Sequence, residues 1–146
     1  MAPTPTAADI LNRFYAAERI YMAESAEKRD FSGMAATLSP DMRLLQSSDL
    51  PYGGQYTGHA GFLDWSEAMA ARFDKLDVVD PKVFEGGDEI IVKSTLKLRV
   101  RNSGEELVRP LLQSVKVDIE KEVITEIVPF YWDVKGLNEA LARAGL

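Results

Sequence analysis

The sequence predicts an α+β fold, in which a curved antiparallel sheet wraps around N-terminal helices to form a cone-shaped α+β barrel. Apolar residues recur at helical spacing in the first third of the chain, and a second helical stretch follows a glycine-rich loop. Alternation with a period of two then runs almost to the end. This order differs from a βαβ repeat and favours a meander packed on helices. The open end of such a cone suits a small apolar ligand.

Length and composition predict one domain, residues 1–146, with a flexible tail at residues 1–6. The chain has no cysteine, which excludes disulfides and thiolate chemistry. A net charge of −6 argues against nucleic acid and anionic membranes as partners. No signal peptide or membrane-spanning run is evident, so we expect a cytoplasmic protein.

Two helices are predicted at the start of the chain. Thr6 and Asp9 form a capping box for the first, which runs to about Glu27. Its apolar face comprises Ile10, Leu11, Phe14, Tyr15, Ala17, Ile20, Tyr21 and Met22. Asp30 caps a short second helix that extends to Leu38, and residues 39–41 (Ser-Pro-Asp) end it because the residue before proline avoids the α region.

A strand, a loop and a third helix come next. Residues 42–46 form the strand, residues 51–59 a glycine-rich loop, and residues 61–76 the helix. The remaining elements are strands at 78–84, 89–100, 106–119 and 123–133, with a C-terminal helix at 135–145. In the strand at 89–100 the even-numbered residues are apolar apart from Ser94, which predicts one buried face and one solvated face.

The glycine-rich loop and the last strand supply the first candidate site residues. The loop holds the only histidine, His59, and the last strand ends in Tyr131-Trp132-Asp133. We expect the fold to bring both stretches to one cavity. Asp133 suits either a helix N-cap or an inward-facing base, and Asp49 either a solvated turn or a base with raised pKa. His59 either donates to a substrate oxygen or packs on the loop.

Other candidates are polar or aromatic residues in positions that otherwise read as core. Gln113 interrupts an apolar strand face, so it needs a polar partner that a ligand can supply. Arg109 shares that face by parity. A phenol in an apolar cavity can stabilise an oxyanion, although each tyrosine also reads as a core residue. The remaining candidate substrate-binding residues are Tyr15, Tyr21, Glu24, Tyr52, Trp65 and Glu126. No metal-ligand spacing is present, and no cofactor is expected.

Four segments resemble the SnoaL-like polyketide cyclases. This family lies in the nuclear-transport-factor-2-like superfamily, together with ketosteroid isomerase, scytalone dehydratase and limonene epoxide hydrolase. The segments are residues 29–31, 39–41, 51–59 and 127–133. The resemblance covers nearly the whole chain and implies the cone-shaped barrel. It does not specify the reaction, because one fold hosts several chemistries.

The resemblance also implies roles for particular residues. The general base of ketosteroid isomerase corresponds to Asp49, and that of the polyketide cyclases to Asp133. The tyrosine–aspartate pair of scytalone dehydratase corresponds to Tyr21 and Glu24, but its two catalytic histidines have no counterparts. Arg109 and Asp133 reproduce part of the Asp-Arg-Asp set of limonene epoxide hydrolase.

The expected function is cofactor-independent acid–base catalysis on a hydrophobic oxygenated natural product, a polyketide or terpenoid. Asp133 or Asp49 would be the base of this isomerase or cyclase, with His59 and Tyr131 holding the oxyanion. One alternative is an epoxide hydrolase or dehydratase, for which Glu24 and Glu126 are candidates for a second acid. Another is a non-catalytic small-molecule-binding domain. Family resemblance further implies a homodimer formed through the outer sheet face.

Overall fold

A computed structural model describes residues 3–146 and confirms the predicted α+β architecture. The elements in chain order are α1 (Ala7–Ala23), α2 (Ser32–Ala35), β1 (Leu38–Gln46), β2 (Gly54–Thr57), α3 (Gly58–Arg72), β3 (Phe73–Gly86), β4 (Glu89–Val100), β5 (Glu106–Asp118), β6 (Val123–Tyr131) and α4 (Val134–Arg143). Met1 and Ala2, which belong to the predicted tail, lie outside the described residues.

One six-stranded curved sheet has the strand order β2-β1-β6-β5-β4-β3. Strands β1 and β6 are parallel, with Leu44 opposite Ile127, whereas the other pairings in residues 3–146 are antiparallel. The parallel pair joins the helical first half of the chain to the meander. It therefore places the two halves around one shared core.

The inner face of the sheet packs against α1 and α3. On β4 this face consists of Ile90, Val92, Ser94, Leu96, Leu98 and Val100, all buried as the alternation predicts. Lys93 on the opposite face is exposed. Phe14 of α1 and Phe62 of α3 meet edge to face, with ring centroids 5.7 Å apart, and join the helices above the sheet.

Helix α1 begins as predicted and ends earlier. The capping box is present, because the Thr6 hydroxyl accepts from the Asp9 amide and the Asp9 carboxylate accepts from the Thr6 amide. The helix ends at Ala23 instead of Glu27, since Glu24 is extended (φ −82°, ψ 154°). Ile20, predicted on the apolar face, is 65% exposed.

The second helix was predicted too long and the first strand too short. Helix α2 ends at Ala35, and residues 38–41 belong to β1. Pairing with β6 outweighs the turn preference of the Ser-Pro-Asp segment. The register shifts between Leu38 and Arg43, which accommodates Pro40, a residue without an amide hydrogen.

Helix α3 is shifted relative to the prediction, and the loop before it contains a strand. Part of the glycine-rich loop forms β2, which pairs with β1, and α3 begins at Gly58 (φ +73°) instead of residue 61. Helix α3 ends at Arg72, because Phe73 is extended and pairs with Val100 at the start of β3. Tertiary strand pairing thus overrides the helical pattern of residues 73–76. Among the helices described, none has both the length and the apolarity to cross a membrane.

Gly53 supports a close backbone approach in the loop after β1. A Cβ at this position would lie 2.1 Å from the Ser47 carbonyl oxygen, so we expect Gly53→Ala to destabilise the protein by about 1–3 kcal/mol. Gly33→Ala is the matched control, because a Cβ there meets only Ala17 at 3.7 Å inside a helix. Urea denaturation of both variants checks this expectation, and equal stabilities would contradict it.

Candidate active site

A narrow cavity of about 30 Å³, partly open to solvent, lies between the two long helices and the inner sheet face. We call it the slot. Its apolar walls are Phe14, Leu44, Phe62, Met69, Leu76, Val78, Leu96, Leu111, Ile127 and Pro129. Its polar lining is Glu18, Gln46, Trp65, Gln113 and Tyr131. A largely apolar cavity with a few convergent polar groups is the usual form of a small-molecule site.

Glu18 is the carboxyl group of the slot. The residue is only 5% exposed, and no side chain or amide in the described part of the chain donates a hydrogen bond to it. Burial raises the pKa of Glu18 to about 8, against a smaller lowering by the nearby Arg19 charge. Near neutral pH this carboxyl group is therefore mostly protonated and can still release its proton.

Helical spacing explains why Glu18 faces inward. It lies four residues after Phe14 and four before Met22, both of which are buried on the same face of α1. These neighbours offer no charge to pair with. The sequence analysis did not identify Glu18, although a lone carboxylate within an apolar helical stripe was the signal that could have revealed it.

Trp65 and Gln46 add unpaired polar atoms to the slot. Trp65 Nε1 and Gln46 Oε1 are buried, and neither has a hydrogen-bond partner in residues 3–146. Trp65 was predicted as a substrate-binding residue, whereas Gln46 was not identified, because it reads as the last residue of a short strand. A buried polar group without a partner costs about 1–3 kcal/mol. A ligand could therefore accept a hydrogen bond from Trp65 Nε1 and donate one to Gln46 Oε1.

Tyr15 and Gln113 form a hydrogen bond at the sheet side of the slot. The Tyr15 hydroxyl donates to Gln113 Oε1, and Gln113 lies on the inner face of β5 opposite Pro129. Burial raises the pKa of Tyr15 well above its usual value, and the charge of Glu18 raises it further. The phenol therefore stays protonated, so it keeps Gln113 fixed.

Tyr131 lines the slot from the end of β6. Burial raises its pKa, with the Glu18 charge acting in the same direction, while Gln46 and Tyr52 lower it as polar neighbours. Contacts to these two side chains do not meet strict hydrogen-bond geometry, and the Tyr52 hydroxyl remains unpaired. The rings of Tyr52 and Tyr131 meet edge to face at 6.4 Å, which joins the glycine-rich loop to the last strand.

The two aspartates predicted as bases lie outside the slot. Asp133 is exposed at the N-cap of α4, in the left-handed region (φ 60°), and its Oδ1 accepts from the Gly136 amide at 3.0 Å. Asp49 is exposed in the turn after β1, where its carbonyl oxygen accepts from the Asn138 side chain. Asp133 therefore occupies the position of a helix N-cap and Asp49 that of a solvated turn residue. The slot instead contains Glu18.

His59, Glu126 and Arg109 also lie outside the slot lining. His59 Nε2 donates to the Leu38 carbonyl oxygen at 2.9 Å, which fixes the start of α3. The Glu126 carboxylate lies on the outer sheet face, 3.2 Å from Lys116 Nζ. Arg109 donates to the carbonyl oxygen of Val108, the residue before it.

Three more predicted residues are structural in their observed contacts. Tyr21 is buried beneath the Arg29 guanidinium, 5.8 Å from its ring centroid, and burial raises its pKa. Glu24 is the C-cap of α1. Tyr52 packs against Phe73 behind Tyr131. Of the predicted site residues, the fold therefore brings Trp65, Gln113 and Tyr131 to the slot, with Tyr15 directly behind Gln113.

Solved structures place this fold in the ketosteroid isomerase-like and NTF2-like class. TerC co-crystallised with polyporic acid is 18% identical, with a TM-score of 0.75 over 92% of this chain and 97% of that one. A ketosteroid isomerase-like protein from Catenulispora acidiphila, in complex with trimethylamine, is 17% identical, with a TM-score of 0.71 over 97% and 95%. A candidate polyketide cyclase from Pseudomonas putida is 19% identical, with a TM-score of 0.72 over 94% and 97%.

Sequence comparison identifies the family. Residues 17–126, more than half of the chain, match the SnoaL-like domain, and the protein belongs to this family. The match includes Glu18, Gln46, Trp65 and Gln113, whereas Tyr131 lies beyond it. No functionally curated protein matches the sequence significantly.

The raised pKa of Glu18 predicts a stability that falls with pH. Folding raises this pKa from 4.5 to about 8. The contribution of the protonated Glu18 to the free energy of unfolding is therefore fully present below pH 4.5 and is lost as the pH rises through 8. We expect the free energy of unfolding of Glu18→Gln, relative to that of the wild type, to increase by about 1.4 kcal/mol per pH unit in that window, up to about 5 kcal/mol. Urea denaturation from pH 5 to 9 measures this difference.

Glu24→Gln serves as the control, because its side chain lies outside the slot lining. Its stability relative to the wild type should not change over the same pH range. A constant difference for Glu18→Gln as well would show that the Glu18 carboxyl group is solvated.

Proposed function

We propose that the protein is a cofactor-independent acid–base enzyme of the isomerase or cyclase type, and that Glu18 transfers the proton. The substrate is a hydrophobic oxygenated small molecule, a polyketide or a terpenoid. One observation carries the proposal: a carboxyl group buried in an apolar cavity, without a protein donor and with a pKa of about 8.

A pKa near neutrality suits proton transfer in both directions. At pH 7 about one Glu18 in ten is ionised, which supplies a base, and the remainder are neutral acids. The ionised carboxylate removes a proton from a carbon beside a carbonyl group, and the electron pair moves onto the carbonyl oxygen. In an isomerisation, the protonated carboxyl group then returns the proton to another carbon. In a cyclisation, the enolate carbon attacks a second carbonyl carbon, and the protonated carboxyl group gives its proton to the alkoxide oxygen that forms. No electron acceptor is required.

The walls of the slot support an apolar ligand. Aromatic and aliphatic side chains surround Glu18 and leave it only 5% exposed, which strengthens electrostatic interactions at the reacting atoms. A structurally similar protein was co-crystallised with polyporic acid, which supports a small organic ligand in this fold.

Two observations favour proton transfer over the alternatives. Epoxide opening requires a second inward acid, whereas Glu18 is the one carboxylate among the slot-lining residues that the structure describes. A passive binding domain needs no paired acid and donor, whereas the slot holds both Glu18 and the Trp65 indole N–H.

Exchange of a carbon-bound proton tests the proposal without knowledge of the natural substrate. We expect the wild type to accelerate deuterium incorporation beside the carbonyl of 1-tetralone in D₂O, because this ketone combines apolar rings with a carbonyl group, as the largely apolar lining with its few polar groups requires. Glu18→Gln should lower the catalysed rate about 100-fold or more, since an amide cannot accept the proton. Proton NMR of the ketone measures the rate.

Asp133→Asn and Asp49→Asn are the controls, since both carboxylates lie outside the slot. They should retain exchange within about twofold. If either variant lost exchange while Glu18→Gln kept it, the substituted aspartate would be the base, as the family resemblance implies.

We also propose that a second copy of the chain covers the outer sheet face. Phe130 is 61% exposed and lies opposite the exposed Leu112, and Trp132 follows at 67%. These side chains border one apolar depression together with Pro110. Contiguous exposed apolar surface of this kind is typical of protein interfaces.

Substitution at the centre of this surface tests the dimer. We expect the wild type to have twice the 16.2 kDa chain mass in light scattering, and Phe130→Glu to have the single-chain mass, because burying a carboxylate at an apolar contact is unfavourable. Ile20→Glu on α1 is the matched control, since Ile20 is equally exposed (65%) but lies on a helix away from the outer face. A monomeric wild type would refute the interface.

A further inference from the structure

Trp65 lines the slot, and its buried indole N–H is an unused hydrogen-bond donor. The residue is only 4% exposed, and its indole Nε1 has no acceptor among the described residues. An indole nitrogen can only donate, so no change of protonation can satisfy it in another way. The fold thus maintains a buried N–H group without a hydrogen-bond partner among these residues.

Packing against neighbouring side chains restricts the Trp65 ring. Trp65 lies three residues after Phe62 and four before Met69, and all three side chains line the slot from α3. The Phe62 and Trp65 rings lie 5.0 Å apart at an interplanar angle of 59°. A donor held by its neighbours loses little conformational freedom when a ligand binds.

Other polar groups of the slot complement this donor. Glu18 is 5% exposed and Gln46 is 7% exposed, so three polar side chains, each more than nine-tenths buried, line one apolar cavity. The Gln46 amide has an unpaired atom as well. Hydrogen bonds within the described residues therefore leave part of the polar lining of the slot unsatisfied.

We infer that the Trp65 indole N–H donates a hydrogen bond to an oxygen of the bound ligand, and that it selects ligands carrying a carbonyl or comparable acceptor. The inference rests on the proposed function for its catalytic consequence. When Glu18 removes a proton from the carbon beside that carbonyl, charge moves onto the oxygen that Trp65 faces. The hydrogen bond strengthens at that stage, so Trp65 lowers the barrier in addition to orienting the ligand.

NMR of the indole N–H groups tests the hydrogen bond directly. The chain has two tryptophans, and Trp132→Phe leaves only the Trp65 signal in the indole region. In this variant, 1-tetralone should move the Trp65 indole proton downfield and slow its exchange with water. Tetralin, which has the same rings without the oxygen, should bind without the downfield shift.

Affinity provides a second measurement. Trp65→Phe keeps an aromatic ring and removes the donor, so it should weaken 1-tetralone binding about three- to tenfold relative to its effect on tetralin. Equal losses for both ligands would show that the indole only packs. An identical Trp65 response to both ligands, or no response to either at the solubility limit, would also overturn the inference.

The same NMR experiment in Glu18→Gln separates the inference from the proposed function. A preserved Trp65 shift with lost deuterium exchange supports both. A preserved shift with unchanged exchange refutes Glu18 as the base and leaves the Trp65 hydrogen bond standing. If Glu18→Gln loses deuterium exchange as expected but 1-tetralone causes no specific shift of the Trp65 indole proton, the Trp65 inference alone is refuted.

Discussion

The chemistry of this protein depends on one unfavourable burial, that of the Glu18 carboxyl group in a space without a protein donor. Ionising a carboxyl group in such a place is costly, and the raised pKa expresses that cost. The helix tolerates it because its capping box and a row of fully buried apolar side chains, including Leu11 and Met22, hold it against the sheet. Stability supplied along the helix thus offsets strain at one position, a pattern typical of functional sites.

Sheet topology explains why the remaining polar groups converge on that carboxyl. Strands β1 and β6 are parallel, so their carboxyl ends lie side by side at the same end of the sheet. Gln46 ends β1 and Tyr131 ends β6, and both line the slot. The same arrangement brings Tyr52 of the glycine-rich loop against Tyr131. Two segments far apart in sequence therefore meet because their strands run in the same direction.

The sequence allowed prediction of features that arise from local periodicity. Strand β4 has the predicted bounds and faces, because strict alternation admits one register over twelve residues. Boundaries that depend on a distant partner were wrong, as at Leu38 and Phe73, where strand pairing overrides a helical pattern. Glu18 escaped prediction because charged residues on helices usually face water. Its inward direction follows from packing against strands that lie far along the chain.

The pairing of β1 with β6 joins segments that are far apart in the chain. Strands β3, β4 and β5 pair with their neighbours in sequence, whereas Leu44 waits for Ile127, more than half the chain away. Helix α1 therefore leaves the ribosome long before β6 completes the wall above it. Until then Glu18 is solvated and ionised at neutral pH. Folding near neutral pH therefore takes up a proton at Glu18, so burial of this carboxyl group in the barrel is coupled to pH.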